Sequence, residues 1–447
     1  MIQMRHFMRE FTAAFLAGFA IIIGLTMLAG FAASHVSPET VSLLKSWSEQ
    51  NPAQRFDDWM DGIVVANILY SAMCPRHSLW TYFLPANAPP AGFDLLKHVL
   101  TPQNNQALVK ALETRQGELL HRYWTGHIVL TAIALYVYID PAIASKAAMG
   151  AVLLSFFFFA FVWTKRLSTM GGLVFGLLLL GSGVIYMESF HTHTWGLAVA
   201  GLTAAYTGLR LERGKSFVAP AVLGGIFANW VGYDYVFPTL AFSLLFFLQR
   251  EERELRIHDM AAPFKFAVLF LAITALMMVL RVPIAYLFEQ VDPSLFVGQL
   301  TDRLAYRLQG DILPQELASG MELTRSSAIL SALPAVDAYL FNLGGRFMPL
   351  PQSLTGYAAF QMLPIVILSG ILIMRNRSDQ LKALRPVAIV AVSALLFHLL
   401  LLVLVNHACV HPWMHARYMV FSMVVSSAVA AGAAWDVIAK HISQEKI

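Results

Sequence analysis

Three carboxylates, Asp57, Asp58 and Asp61, fall together in the stretch RFDDWMDGIVVANILYSAM, directly before an almost wholly apolar segment. A carboxylate at such a place can take a proton from an attacking hydroxyl or help to hold a divalent cation. Asp57 and Asp61 stand at i and i+4, so a helix puts both on one face, where their repulsion costs only a few tenths of a kcal/mol. Asp58 with Asp61 also has the spacing of a helix N-cap with an acidic third residue. The helix dipole favours acids at that end as well. Capping and chemistry are therefore both readings of the same three residues, with Asp57 and Asp61 the better candidates for a base.

Other reactive side chains collect in four short stretches. LHRYWTGH carries His121, Arg122, Tyr123, Trp124 and His127, and YMESFHTHTW carries Glu188, His191 and His193. NWVGYDYVFP carries Asn229, Asp234 and Tyr235, while VNHACVHPWMHARY carries Asn406, His407, His411, His415 and Arg417. His191 and His193 are candidate metal ligands beside Asp57 and Asp61, although a His-x-His turn without a clear third ligand reads more simply as interfacial polar residues. His407 and His411 are spaced for one helix face, as are His411 and His415, but Pro412 interrupts the geometry and no HExxH glutamate is present. Arg417 with its neighbouring histidines suits phosphate recognition, which asks less of the geometry. His398 is a lone imidazole in an apolar run, better explained by a hydrogen bond to a neighbouring helix than by catalysis. Arg281 is placed to snorkel.

The elements that position these groups are apolar. Of 447 residues 57% are hydrophobic and 13% charged, against roughly 25% charged in a soluble domain. The chain is thus expected to be an all-α polytopic membrane protein forming a single integral domain over 1–447. About ten crossings are predicted: 11–33, 144–163, 171–189, 195–209, 217–231, 235–248, 264–288, 357–374, 386–405 and 416–438. The first is too long for the apolar core of a secretory signal, about 7–15 residues, and reads as a retained anchor. With the N-terminus cytoplasmic, the short basic connections TKRLS, RLERGKS, QREERELRIHD and RNRSDQLKALR all fall on the cytoplasmic side, as does KHISQEKI. Two large loops, 34–143 and 289–356, then lie outside, and they or the outer turns carry every reactive stretch. Interfacial helices are predicted at 62–73, 93–115 and 127–139, the last ending at Asp140-Pro141, and 329–341 reads as another short piece. Cys74 and Cys409, the two cysteines, make no disulfide framework or CxxC metal site. A net charge of +4 without a soluble basic scaffold argues against nucleic acid as a partner.

This layout resembles the GT-C superfamily of integral-membrane glycosyltransferases, and the turns RFDDWMDG, HRYWTGH, GYDYVFP and NHACVHPWMHARY look similar to those of a bacterial branch. The first-loop carboxylates depart from the commoner Asp-Asp, Asp-Glu or Asp-x-Asp forms. The resemblance implies transfer of a sugar from a polyprenyl-phosphate carrier to an extracytoplasmic glycan or lipid acceptor, at the outer face of an inner (cytoplasmic) membrane. It implies a first-loop aspartate as general base, with Arg122, His127, Asp234, His407, His411 and Arg417 around the substrate and its phosphate. A divalent cation, magnesium or manganese, and a metal-free reaction remain alternatives. Two other classes fit the composition: a membrane-bound O-acyltransferase using an intramembrane histidine, and a transporter of envelope lipid or glycan precursors. The first expects more chemistry on the inner face, and the second expects mid-membrane polar groups and inverted repeats.

Overall fold

The computed structural model describes residues 2–34, 86–88, 118–120, 126–166, 169–182, 192–248, 261–289, 362–371 and 412–444, with shorter pieces at 39, 43, 292–294, 297–298, 301, 387–388, 390–392 and 394–398. Almost everything described is helix. The long helices are α1 (Ile2–Ser34), α2 (Gly126–Tyr138), α3 (Pro141–Arg166), α4 (Thr169–Gly181) and α5 (Thr192–Glu212). They continue with α6 (Val218–Val231), α7 (Val236–Leu248), α8 (Ala261–Glu289), α9 (Met362–Ile371) and α10 (Pro412–Gln444). A 3-10 turn, Tyr233–Tyr235, joins α6 to α7. In the segment between α1 and α2, β1 (Ala86–Ala88) pairs antiparallel with β2 (Glu118–Leu120). That pair is a small departure from the all-helical expectation. The helices expected at 62–73 and 93–115, and the piece at 329–341, lie outside the described residues.

Among the described residues four helical stretches are long and apolar enough to cross a membrane: Met4–Ala29, Pro141–Lys165, Ala261–Ile284 and Arg417–Ala439. Their outward faces suit lipid. Leu16, Ile23 and Met27 of α1, Leu154, Phe157 and Phe161 of α3, and Phe264, Val268 and Val279 of α8 are all exposed. The other apolar helices are shorter. α6, with 14 residues, spans about 21 Å at 1.5 Å per residue, less than a ~30 Å hydrocarbon core.

Pairwise contacts fix the direction of each helix. Gly201 of α5 faces Ser155 of α3 and Gly208 faces Val162, so α3 and α5 run the same way. Gly196 lies against Tyr235 and Gly208 against Phe246, which aligns α7 with them. Ring contacts of Tyr235 with Tyr418 and of Phe242 with Phe421 align α10 too. α6 returns antiparallel to α5, with Gly224 against Thr203, and α8 follows the direction of α6: Gly224 meets Phe270 and the Asn229 amide donates to the Thr274 carbonyl. At the other end of α5, Arg210 donates to Glu10 of α1, so the start of α1 sits beside the end of α5. One end of the bundle is therefore basic, with Arg5, Arg9, Lys165, Arg210, Arg213 and Lys215. The far end holds the start of α5, the 3-10 turn and the start of α10.

The core is built from rings and small residues. Phe156, Phe159 and Trp163 of α3 pack with Phe175 of α4, Phe242 and Phe246 of α7, and Phe421 of α10, at centroid separations of 4.9–6.2 Å. The break between α2 and α3 follows its sequence signal. Ile139 takes a left-handed φ of 59°, which ends α2, and the Asp140 carboxylate accepts from the Ala142 amide while Pro141 occupies the first helical position.

Because the α5 glycines set helix separation, Gly201→Ala should destabilise the protein by about 1–3 kcal/mol. Its Cβ would lie 2.5 Å from the Ser155 hydroxyl oxygen, which is itself bonded to the Val152 carbonyl. Gly176→Ala, whose Cβ meets no atom within 4 Å, should be neutral or stabilising by up to about 1 kcal/mol. Thermal unfolding in detergent compares the two; equal midpoints would remove the glycines' packing role.

Candidate functional site

The far end of the bundle gathers buried polar side chains around the turn 231–235. Gly232 donates to the Ala228 carbonyl and Tyr235 to the Gly232 carbonyl, which folds the chain sharply between α6 and α7. Tyr235 is wholly buried, with its ring over the bare backbone of Gly196, where a Cβ would lie 2.4 Å from the ring. That close approach aims its hydroxyl between two neighbours. His193, in the first turn of α5, places Nδ1 at 3.1 Å from the Tyr235 oxygen, and Arg417 of α10 donates to the same oxygen at 3.5 Å. Both partners are buried, His193 at 4% and Arg417 at 0% exposure. The next residue, Tyr418, donates its hydroxyl to the Asp234 carbonyl at 2.8 Å.

On the other side of the turn, His127 in the first turn of α2 lies with Nδ1 3.0 Å from the Val231 carbonyl. α2 is held there by Gly126, which lies flat on the Trp230 indole, and by Trp195 of α5, whose indole donates to the Thr131 hydroxyl at 3.0 Å. Residues distant in sequence thus grip the same short turn from two sides, His127 at Val231 and Tyr418 at Asp234.

The electrostatics are unusual for such a place. A guanidinium is the side chain that stays charged in nearly every setting, and enclosing one away from water costs several kcal/mol unless it is hydrogen-bonded or paired. The Tyr235 phenolic oxygen is one acceptor for the Arg417 guanidinium. Arg417, Tyr235 and His193 together form a line of polar groups that can orient an anion or pass a polarisation from cation to imidazole.

Of the eleven residues assigned from sequence to catalysis, substrate or metal, four are described. His193 and Arg417 meet through Tyr235. Asp234 contributes its backbone carbonyl through Tyr418 and has a half-buried side chain. His127 joins through Val231. Asp57, Asp58, Asp61, Arg122, His191, His407 and His411 lie outside the described residues. Among the described residues no three His, Cys, Asp or Glu side chains are grouped as metal ligands, and the described side-chain contact of His193 is to the Tyr235 hydroxyl. Sequence reading names Tyr235 among the polar residues of its stretch but gives it no role, and it misses Tyr418. Each directly follows a charged candidate, Asp234-Tyr235 and Arg417-Tyr418, and that adjacency was the available signal. For His398, expected to bond a neighbouring helix, the described contact is instead one turn back in its own chain, with Nδ1 2.5 Å from the Ala394 carbonyl oxygen. Compared with protein-family models, curated proteins and solved structures, the chain matches none.

Tyr418→Phe should cost about 1 kcal/mol, one neutral hydrogen bond. Tyr235→Phe should cost more, about 1.5–3 kcal/mol, because a charged donor loses its acceptor. In a double-mutant cycle with His193→Ala, Tyr235→Phe should show a coupling of at least about 0.5 kcal/mol. Unfolding in a detergent titration reads all three, and strict additivity would dissolve the line of contacts.

Proposed function

We propose that the protein transfers a sugar from a polyprenyl-phosphate carrier to an extracytoplasmic glycan or lipid acceptor, with Asp57 or Asp61 as the general base. The observation that carries this reading is the buried Arg417 guanidinium, held by Tyr235 at one end of an apolar bundle. A leaving lipid phosphate needs a cation or donors near the interface, in a site of low dielectric where each counts for more than in water. The acidic stretch connects to that end. Ser34 finishes α1 there, with Phe31 packed on Tyr136 of α2, and Gly126 starts α2 against Trp230. Both attachment points of the segment bearing Asp57, Asp58 and Asp61 therefore border the Arg417 end. Arg122 stands four residues before α2 in sequence, and His407 and His411 immediately precede α10.

In this reading about ten helices cross the membrane, the basic end faces the cytoplasm, and the N-terminus is cytoplasmic. The alternating helix directions support the parity, and the clustering of Lys and Arg at one end supports the orientation. A base takes the proton of the acceptor hydroxyl as its oxygen attacks the anomeric carbon. The bond to the carrier phosphate breaks, and the phosphate leaves with its negative charge beside Arg417. Magnesium or manganese at Asp57 and Asp61 would serve the same departing charge. An acyltransferase built on His398 is disfavoured by that ring's place against its own helix backbone.

Orientation is tested by single cysteines at Gln103, Gln315 and Gln380 in a background without Cys74 and Cys409. In intact cells an impermeant maleimide should label the first two and spare Gln380→Cys, and the reverse pattern would turn the site inward and end the proposal.

Transfer itself is tested with full-length protein in liposomes given a polyprenyl-phosphate sugar. Asp57→Asn or Asp61→Asn should lower turnover about 100-fold or more. Arg417→Lys keeps the charge but loses the planar fork, and should raise KM for the carrier while lowering kcat. Gel filtration confirms folding. Near-normal turnover in both aspartate variants would leave the carboxylates as helix caps.

A further inference from the structure

At the basic end of the bundle, α1 and α5 meet through an ion pair set back from the surface. The Arg210 guanidinium donates to the Glu10 carboxylate, with side-chain exposures of 20% and 14%. Through Nε it also donates to the Ser216 carbonyl at 3.2 Å, so one side chain holds both the start of α1 and the turn after α5. That turn is itself ordered. Gly214 takes a left-handed φ of 64°, its N–H donates to the Leu211 carbonyl, and the Lys215 N–H donates to the Arg210 carbonyl. These are the paired hydrogen bonds of a glycine-terminated helix.

The exposed charges around this junction are nearly all of one sign. Arg5 and Arg9 stand at i and i+4 on α1, Arg213 and Lys215 stand in the turn, and all four are exposed. Arg9 adjoins Glu10 in the chain and Arg213 lies one turn beyond Arg210, so the ion pair brings the two basic pairs to one place. Among the described residues no carboxylate pairs with any of the four, since Glu10 is taken by Arg210 and has His6 4.0 Å from its other oxygen. The exposed carboxylate of the turn is Glu212. Cations held together by a fixed clamp repel one another, and a phosphate between them relieves that repulsion while matching the guanidinium forks. The apolar neighbours indicate what carries the phosphate. Met4, Phe7 and Met8, interleaved with Arg5 and Arg9, are 65%, 36% and 50% exposed. With 33 residues α1 is about 50 Å long against a hydrocarbon core of ~30 Å, which leaves its first turns at headgroup level. Exposed apolar side chains alternating with cations suit a lipid interface, and a soluble anion has no use for them.

We infer that the junction of α1 with the turn after α5 binds the headgroup phosphate of an anionic phospholipid, with Arg5 and Arg9 on one side and Arg213 and Lys215 on the other. A diffuse positive surface depends only on how many charges it carries. This site depends on their arrangement, which the Glu10–Arg210 pair sets. It lies at the opposite end of the bundle from Arg417 and stands without the sugar-transfer reading.

The test measures lipid selectivity of the full-length protein in phosphatidylcholine vesicles. Electron paramagnetic resonance compares the immobilised fraction of spin-labelled phosphatidylglycerol with that of spin-labelled phosphatidylcholine. The wild-type protein should favour the anionic label several-fold. Arg5→Gln with Arg9→Gln, or Arg213→Gln with Lys215→Gln, should each remove most of that preference, and all four together should remove little more, because one headgroup needs both sides. Lys165→Gln is the control: Lys165 is exposed at the same end, but its ammonium lies over the Phe161 ring, 4.6 Å from the centroid, and its loss should leave the preference unchanged. Glu10→Ala separates arrangement from charge. It makes the protein more positive, so diffuse attraction would strengthen the preference, whereas loss of the clamp should weaken it. Inorganic phosphate should displace no more label than sodium chloride at equal ionic strength. No preference in the wild-type protein, an equal loss per charge that includes Lys165→Gln, or a stronger preference in Glu10→Ala would each overturn the inference. Specific displacement by phosphate would overturn it too, by making this a site for a soluble anion. If gel filtration shows Glu10→Ala to be misfolded, the substitutions at the four exposed positions decide alone.

Discussion

Close backbone approach along α5 is the constraint on which the other features depend. In lipid, apolar side chains gain little by leaving their surroundings, so helices associate through contact area and hydrogen bonding. Gly196, Gly201 and Gly208 let α3 and α7 come within reach on two sides, and buried Ala200, Ala204 and Ala205 keep the surface shallow between them. The ring cluster of α3, α4, α7 and α10 fills the space this spacing leaves. Tyr235 can lie over α5 only because position 196 has no side chain, and that overlap brings its hydroxyl to His193. Fold and site are thus two results of one contact surface.

The site adds polar bonds where the packing leaves little freedom. Tyr418 and His127 each spend a side-chain donor on a backbone carbonyl of the turn between α6 and α7. Such bonds satisfy carbonyls that a helix end exposes, and they fix the turn that presents Tyr235. Arg417 is buried at the same place, so the cost of enclosing its charge is borne by a rigid environment rather than a mobile one. A preorganised cation of this kind needs no rearrangement when negative charge develops near it.

Much of the architecture was legible in the sequence because hydrophobic periodicity and punctuation are local. The stop at Asp140-Pro141 is an N-cap and an N1 proline, and the structure uses both in those roles. Each described helix from α3 to α8 falls on a predicted apolar run, and the run at 127–139 is α2. Within the site, His193 and Arg417 stood out as polar residues at the edges of apolar runs. Their meeting did not, because it depends on Tyr235, a residue that reads as the first apolar position of a helix. Asp234 attracted notice for its carboxylate, whereas its backbone carbonyl is what Tyr418 grips. Partnerships of that kind belong to three-dimensional packing between segments some 180 positions apart and leave no trace in local pattern.

The turn between α6 and α7 also carries a consequence for biosynthesis. Tyr235 and Arg417 are separated by 182 positions and Asp234 and Tyr418 by 184. At about 5–20 residues per second, roughly 10–40 s of translation pass between the two halves of each bond. Throughout that interval the turn is held from outside by His127 and by the α5 contacts of Tyr235 with Gly196 and His193, without the grip of α10. The arrival of α10 adds the grip of Tyr418 and encloses the guanidinium in the same event, so the polar end of the bundle matures last, and a ribosome stalled before that helix leaves a chain whose buried polar cluster is still open.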